Sequence, residues 1–587
     1  MNTQRAAAET HHKQASSLNI QHRLESLAES VAQSVRNRHL LFAGLTLFTV
    51  LFVGYHYGTF DQTIHIPYLQ KYADPALYPN DSFLELRTQH YSYFWFFWLP
   101  FYRLGALEIA LFVAHVGATY LTFWAFWALS QILFHDSLTA LISVVVFAAP
   151  HFSFSAFPIL EFSLLNRTFV LPLLLWCLIL YMRGHSFWAF FCMGLLYNLH
   201  VVSVNFAAAM VALDVVLNIV KPDPNKRRTE GVLVLARQLL LFILGAAPVL
   251  IWKACGPPVT FSADPEWYNS VSKYFHHLFF LITPCPQVML ASLNGFATLG
   301  FFAIARRRNP SPEYDRTTTH FICAVLIFLL TQIMLTNIYP VTFLLQLQII
   351  RAGLFGTIFG YLYFVRYLTG CYRENCLATF HYYWLLSATI TLILPFLTLL
   401  CWIVSRMIPN PTRRQQLAMI VLLLMMVSGS LFFAIHEGLW GPGIHLYGPQ
   451  NAWQEAQVWA RENTPVDAMF ITPPHIWGLY ETDWRVFSKR GTLVTYSDLL
   501  EVALAPNYSE ECRKRFDQLA PGARAQFKDY FFDNQEITAA AYYSLTEDNI
   551  RRIATEYNAS YLVVEKPHTY RFPIAYENQE FIIYRLP

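Results

Sequence analysis

The stretch that decides the fold runs from Gly58 to Phe83 and reads GTFDQTIHIPYLQKYADPALYPNDSF. It directly follows the first strongly apolar segment, Leu40 to Tyr57, which predicts a first membrane span. The acidic residue Asp61 is therefore expected within one helical turn of the membrane boundary. A carboxylate there can accept a proton from a hydroxyl group, as a general base does, and polar residues at membrane depth are candidate functional residues. The alternative is that Asp61 is an ordinary solvated loop residue.

The composition indicates a membrane protein with a smaller soluble part. Of 587 residues, 55% are hydrophobic and only 13% are charged, whereas soluble domains have about 25% charged residues. The net charge of +3 and the lack of a nucleic-acid motif argue against nucleic acid as a partner. The cysteines form no CxxC pair and suggest no zinc site. We predict no cofactor; a divalent metal remains an alternative that the sequence does not indicate.

The N-terminal tail, residues 1–38, is polar and is predicted to form a cytoplasmic amphipathic helix that lies on the membrane or on a partner membrane protein. Its apolar residues recur on one helical face: Leu24, Leu27, Val31 and Val35. Arg36 and Arg38 precede the first span, which places the N-terminus in the cytoplasm by the positive-inside rule. The loop 58–104 then faces outward, into the periplasm if the membrane is a bacterial inner membrane.

Residues 39–435 are predicted to form a polytopic α-helical membrane domain with about 11–13 membrane helices, several short or broken. Short spans are tolerable only when they pack inside a larger helical assembly. The aromatic segment 91–104, YSYFWFFWLPFYRL, is interpreted as an interfacial or re-entrant helix. After the first span, the predicted spans are 107–133, 138–152, 168–182, 187–199, 204–220, 232–252, 287–305, 320–337, 342–365 and 416–435.

The run 382–407 determines on which side of the membrane the C-terminus lies. Read as two short helices broken at Pro395, it keeps Arg406 in the cytoplasm, in agreement with the charge rule. The last span then delivers residues 436–587 to the periplasm. The segments AMFITPP, YLVVEKP and EFIIYRL predict strands, and they alternate with helical segments, so this region is predicted to be a small α/β domain. Cys255 and Cys285 bracket an outer loop and could form a disulfide there.

Three phrases resemble parts of the GT-C superfamily of integral-membrane glycosyltransferases, in particular a poorly characterised bacterial branch. DQTIHIPYLQKYADPALYPNDSF looks like the first outer loop, EFSLLNRTFVLPLLL like the second outer loop leading into a span, and LLQLQIIRAGLF like the segment where an arginine enters a late span from the outer face. The resemblance implies an inverting transfer of a sugar from a polyprenyl-phosphate donor to an acceptor on the outer face.

The resemblance also implies roles for individual residues. Asp61 matches the acidic base, and Arg351 matches the basic residue that stabilises the lipid-phosphate leaving group; the alternative for Arg351 is that it snorkels to the interface. Glu161 matches a second acidic residue that orients the acceptor or helps to bind a metal, although it can instead pair with Arg167. Many members need no metal.

Two histidines complete the candidate substrate-binding residues, which also include Arg351, Glu161 and Arg167. His65 follows Asp61 by four residues, so a helical loop would put both on one face, where His65 bonds the base or the sugar or is simply a packing residue. His200 interrupts an apolar run and is a candidate for lining the cavity.

Three functions remain open at this point. The first is a lipid-linked sugar transferase, which would bind membrane lipid and a polyprenyl-phosphate sugar. The second is a catalytically inactive scaffold subunit of a larger membrane complex. The third, a transporter, would need inverted repeats and charged residues at the midplane, and the sequence shows neither convincingly.

Overall fold

A computed structural model describes the chain over residues 22–154, 157–220, 228–256, 264–308, 313–374, 376–476 and 478–587. The protein is mostly helical, with a small C-terminal sheet region. The first 21 residues of the predicted N-terminal tail lie outside the described residues.

The helices before the C-terminal domain are α1 22–33, α2 Val35–Phe52, α3 Gln62–Ala73, α4 Leu99–Arg103, α5 Leu107–Phe134, α6 Ser137–Val146, α7 Asn166–Met182, α8 Ser186–Tyr197, α9 Val201–Val220, α10 Arg228–Ala254, α11 Pro265–Tyr274, α12 His276–Phe279, α13 Pro286–Arg308, α14 Asp315–Asn337, α15 Thr342–Gln346, α16 Gly353–Arg373, α17 Thr379–Thr391, α18 Pro395–Met407 and α19 Arg413–His436. Short 3-10 helices cover Ser82–Gln89, Phe94–Trp98 and Ile349–Ala352.

Within the described ranges, seven helices are long and apolar enough to cross a membrane: α5, α9, Gly231–Ala254 of α10, α13, α14, Ile349–Arg373 and α19. Four shorter apolar helices, α6, α7, α8 and α18, have 10–17 residues. The chain is thus a multi-pass helical membrane protein. Length alone supports fewer full spans than the 11–13 membrane helices predicted from the sequence.

The first predicted span, Leu40 to Tyr57, is too long at its C-terminal end, because α2 stops at Phe52. Gly54 adopts φ +95° and lies so close to the Gly441 carbonyl oxygen that a Cβ atom would come within 2.0 Å of it. Only glycine allows this backbone conformation and approach without strain. The chain then forms a two-residue strand, β1 Tyr55–His56, which pairs in parallel with β2 Ile444–His445.

Two other predicted spans are interrupted. The predicted break at Pro395 is confirmed, since α17 ends at Thr391 and α18 begins at Pro395. The predicted span 342–365 is wrong at both ends: Gln348 has a left-handed conformation, with φ 46°, and the apolar helix runs from Ile349 to Arg373. The residues from Arg366 to Arg373, which lie beyond the end of the predicted span, are therefore helical.

The interfacial segment 91–104 forms a 3-10 helix followed by α4. The amphipathic face of α1 is only partly used within the chain. Ala28 and Val31 are buried, whereas Leu27 is 53% exposed and is free to meet a membrane or a partner.

The C-terminal domain contains α20 Ala452–Asn463, α21 Trp484–Ser488, α22 Tyr496–Val502, α23 Ser509–Leu519, α24 Ala523–Gln526, α25 Phe531–Tyr543 and α26 Glu547–Tyr557. Its sheet is built from β3 Met469–Ile471, β4 Gly491–Thr492, β5 Tyr561–Glu565, β6 Ile574–Glu577 and β7 Phe581–Arg585, in the order β4-β3-β5-β7-β6. The three strands predicted from the sequence correspond to β3, β5 and β7. Strand β3 is parallel to β4 and β5, and the other pairs are antiparallel.

The predicted disulfide between Cys255 and Cys285 is wrong. Both cysteines are free; Cys255 is exposed and Cys285 is buried. The structure instead pairs Cys371, in the last turn of α16, with Cys376.

Candidate functional site

A cavity of about 1260 Å³ lies where the outer loops, the membrane helices and the C-terminal domain meet. Its wall is mainly apolar and aromatic, and the membrane helices contribute much of it. Five of the six residues predicted for the site line this cavity: Asp61, His65, Arg167, His200 and Arg351. Residues that are 290 positions apart in the sequence, Asp61 and Arg351, thus share one chamber.

Asp61 occupies the N-cap position of α3, immediately after a tight turn at Gly58. Gln62 holds this turn from two sides: its Oε1 accepts a hydrogen bond from the Gly58 amide at 2.8 Å, and its Nε2 donates to the Leu164 carbonyl at 2.8 Å. The loop that carries Asp61 is therefore tied to the second outer loop. This positions the Asp61 carboxylate beside Arg167, which donates a hydrogen bond to it.

Arg167 connects two carboxylates. Its Nε donates to Oε1 of Glu161 at 2.6 Å and its Nη2 donates to Oε2 at 2.9 Å, while its Nη1 binds Asp61. Such a paired geometry fits the planar guanidinium and fixes its orientation. The pairing of Glu161 with Arg167 is confirmed. Glu161 lies behind Arg167 and acts on the cavity by orienting that arginine.

The charge around Asp61 favours its ionised form. Burial disfavours the carboxylate, but the positive charges of Arg167 and Arg351 outweigh burial, so the pKa of Asp61 lies below its usual value. Asp61 is therefore a carboxylate at neutral pH and a hydrogen-bond acceptor for whatever enters the cavity.

Arg351 differs from Arg167 in having no carboxylate partner among the described residues. Its guanidinium carbon lies 4.1 Å from the centre of the Phe157 ring, and its buried Nε has no hydrogen-bond partner in the described part of the chain. Asp61 and Glu161 act on Arg351 only through longer-range charge interactions. A buried cation without a directly bound counter-ion is costly, and an anion bound in the cavity would compensate it. The residue sits in the 3-10 turn just before α16.

The two histidines have different surroundings. The His65 ring stacks on Trp95 at 5.0 Å and meets the His90 ring edge-on at 5.4 Å. Burial lowers the pKa of His65 to about 3, so its ring is neutral at physiological pH. His200 contacts Ser203 through Nδ1 at 2.8 Å at the start of α9. Both rings line the cavity, and both also serve local packing.

Sequence reasoning missed a second pair of titratable groups in the cavity wall. Nε2 of His90, from the first outer loop, lies 2.6 Å from Oε2 of Glu501, which is in α22 of the C-terminal domain. The two are 411 positions apart, and no local pattern signals such a contact. Tyr68 was also missed, although the spacing Asp61, His65, Tyr68 puts all three on one face of α3.

The described residues contain no group of three or more His, Cys, Asp or Glu side chains that could hold a metal ion. The site is therefore characterised by its ion pairs and by its unpaired polar groups.

Comparison with known proteins adds information on one segment. Residues 451–519 match a family described as "Domain of unknown function (DUF6798)". No curated protein matches the chain. The matched segment runs from α20 into α23 and includes Glu501. It covers only part of the C-terminal domain, and the family's description assigns it no activity.

Proposed function

We propose that the protein is a lipid-linked sugar transferase of GT-C type in a bacterial inner membrane. It would move a glycosyl group from a polyprenyl-phosphate donor to an acceptor hydroxyl on the outer face of the membrane, with inversion. The observation that carries this proposal is the placement of a shielded carboxylate, Asp61, and a guanidinium that has no direct ion pair among the described residues, Arg351, in the same large apolar cavity.

The cavity suits a donor that is apolar at one end and anionic at the other. Its mainly apolar wall offers a surface for prenyl units. Arg351 offers an unpaired guanidinium for the phosphate, which it can bind through two parallel charge-assisted hydrogen bonds. The phosphate would in turn compensate the buried charge of Arg351.

The reaction that these groups support is a displacement at the anomeric carbon. The acceptor oxygen forms a bond to that carbon as the bond to the phosphate oxygen breaks, and the proton of the acceptor hydroxyl passes to Asp61. Polyprenyl phosphate leaves with the additional negative charge, which Arg351 stabilises. The lowered pKa makes Asp61 a weak base, so orientation of the hydroxyl and stabilisation of the leaving group provide most of the rate enhancement.

The proposed topology is the one predicted from the loop charges by the positive-inside rule. The N-terminus is cytoplasmic, the cavity opens to the periplasm, and the domain 436–587 covers it from the periplasmic side. This orientation gives the site access to lipid-linked donors and to acceptors outside the cytoplasm.

One observation favours the alternative, an inactive scaffold subunit of a larger membrane complex. Arg167 donates hydrogen bonds to both Asp61 and Glu161, and these bonds can also serve simply to hold two outer loops together. A scaffold needs these ion pairs only for stability, and it has no need for the unpaired Arg351.

The test is turnover of a defined donor. The purified protein is reconstituted in liposomes with polyprenyl phosphate carrying a radiolabelled hexose and with an extract of the native membranes as the source of acceptor. A transferase releases polyprenyl phosphate and moves the label to a new species. Absence of both products with a series of hexoses, in preparations that retain donor binding, would favour the scaffold.

A further inference from the structure

The cavity wall contains several buried polar atoms that have no hydrogen-bond partner among the described residues, including atoms of Arg87, Tyr91 and Arg351. Three further ones are linked to each other through the rings of His65 and His90. They are Oε1 of Glu501, the hydroxyl of Tyr68 and Nε1 of Trp95. Folded proteins leave few buried polar groups unpaired, because the unpaired group has lost its bonds to water. Three such groups in the wall of one cavity indicate that a ligand completes their hydrogen bonds.

Glu501 is held firmly in place. Its Oε2 is committed to His90 at 2.6 Å, which leaves Oε1 free. The end of α22 is anchored by the Trp267 indole, which donates to the Val502 carbonyl at 2.6 Å, and by Gln346, which donates to the Leu504 carbonyl at 2.8 Å. The carboxylate is fully buried, and His90 is its only ion-pair partner in the part of the chain described.

The three unpaired groups are connected by a continuous series of ring contacts, which Glu501 joins through its bond to His90. The Tyr68 ring lies 5.0 Å from His90, His90 lies 5.4 Å from His65, and His65 stacks on Trp95 at 5.0 Å. His65 is one helical turn from Asp61 on α3. The series therefore extends from the C-terminal domain to the residue proposed as the base.

The chemistry of these groups selects the kind of ligand. A carboxylate oxygen only accepts hydrogen bonds, an indole N–H only donates, and a phenol does both. A phosphate dianion offers no donor and an ammonium group offers no acceptor, so neither satisfies the whole set. Sugar hydroxyls both donate and accept, and the C–H faces of a sugar ring fit against aromatic side chains.

We propose that Glu501, Tyr68 and Trp95 form a saccharide-binding subsite, in which Glu501 accepts a hydrogen bond from a sugar hydroxyl and His90 orients the carboxylate. This proposal rests on the proposed function in one respect: the bound sugar is taken to be a reactant of the transfer reaction. The sugar is either the hexose of the lipid-linked donor or part of a glycan acceptor. In both cases the C-terminal domain takes part in recognition.

The experiment measures binding to the full-length protein in lipid nanodiscs. One arm compares polyprenyl phosphate with the same lipid carrying a hexose, and the other adds a free hexose trisaccharide to protein saturated with polyprenyl phosphate. The variants are Glu501→Gln and Tyr68→Phe. The matched controls are Glu455→Gln and Tyr447→Phe, both at exposed positions. Thermal melting shows whether each variant is folded. If Glu501→Gln does not fold, the binding result for Tyr68→Phe decides the test.

We expect Glu501→Gln to weaken binding of the hexosyl lipid or of the trisaccharide roughly tenfold or more, since a hydrogen bond to a charged group is lost. Binding of sugar-free polyprenyl phosphate should not change, and the arm that is affected identifies which sugar occupies the subsite. The subsite is disproved if folded Glu501→Gln and Tyr68→Phe both bind like the wild type. It is also disproved if the wild type neither prefers the hexosyl lipid nor binds the trisaccharide. A third outcome is that the protein does not bind polyprenyl phosphate but binds the trisaccharide in a way that depends on Glu501. This outcome would support the subsite and contradict the proposed transferase.

Discussion

Arg485 of the C-terminal domain and Asp81 of the first outer loop form a fully enclosed ion pair, with 2.6 Å between Nε and Oδ2. Arg485 also donates to Oδ2 of Asp498 at 2.9 Å. Asp498 lies in α22, one turn before Glu501. One buried arginine thus fixes the outer loop, α21 and the helix that carries Glu501 relative to one another, so the geometry of the cavity depends on an interdomain contact.

The first prediction concerns this ion pair. Arg485→Met leaves Asp81 and Asp498 buried without their cation, and breaking a buried pair from one side typically costs about 3–5 kcal/mol. We expect a large fall in melting temperature and easier proteolysis between the two domains. Arg461→Met is the matched control, because Arg461 pairs with Glu462 at the surface, where a pair contributes about 1 kcal/mol or less. Equal melting of the two variants would show that the buried pair does not hold the domains together.

The second prediction concerns Asp61. Asp61→Asn retains the shape and a bond to Arg167 but removes proton acceptance, so transfer should fall by at least the roughly 10²–10⁴-fold typical of general-base catalysis. Donor binding should change little. Asp74→Asn is the control, since Asp74 is exposed in the same loop. Transfer by Asp61→Asn at the wild-type rate would exclude Asp61 as the base.

The pH dependence of transfer should reflect the environment of Asp61. Burial alone would raise its pKa, but Arg167 and Arg351 more than offset burial, and the pKa lies below the usual value. The active form is the ionised carboxylate, which loses its charge only when the pH falls through this lowered pKa. The acidic limb of kcat/KM should therefore lie below about pH 4, the usual value for Asp. A limb near pH 6 would point to a different titrating group.

The proposed topology predicts that the C-terminal domain is extracytoplasmic. The polar run around Ser509 suggests a labelling site, but Ser509 is buried, so we choose the exposed Ser544. Ser544→Cys, in a Cys255→Ala background that removes the exposed native thiol, should react with a membrane-impermeant maleimide in intact spheroplasts. Gln33→Cys should react only after lysis. The reverse pattern would invert the topology.

Local features of the fold were predictable from the sequence. Proline lacks the amide that continues a helix, so the break at Pro395 was predicted and is confirmed. Alternating apolar strands predicted β3, β5 and β7. The end of α2 was not predicted, because it depends on the close approach of Gly54 to Gly441, a contact that no local pattern encodes.

The candidate site was predictable only where its residues are close in sequence. Asp61 and His65 share a helical face, and Glu161 precedes Arg167 by six residues, so their proximity could be expected. The contact between His90 and Glu501 forms only when the C-terminal domain docks on the outer loop, 411 positions away. Such pairings are properties of the tertiary fold and leave no periodic signal.

The last prediction separates two roles for Arg351. If its planar guanidinium binds phosphate through two parallel hydrogen bonds, Arg351→Lys retains the charge but loses that geometry, and donor affinity should fall roughly tenfold or more. If the side chain only reaches toward the interface, lysine should serve equally well. The lack of a partner for its buried Nε among the described residues favours the phosphate role.

The control for this substitution is Arg406→Lys, at an exposed position where the guanidinium lies over Trp402. Affinity is measured with sugar-free polyprenyl phosphate, so that any sugar subsite contributes nothing to the difference. Loss of affinity in Arg351→Lys but not in Arg406→Lys assigns the phosphate to Arg351. Unchanged affinity in both variants would remove the principal cation from the proposed donor site. The leaving phosphate would then depend on Lys253 or Arg87, the other cations in the lining of the described cavity, because Arg167 is already paired with Asp61 and Glu161.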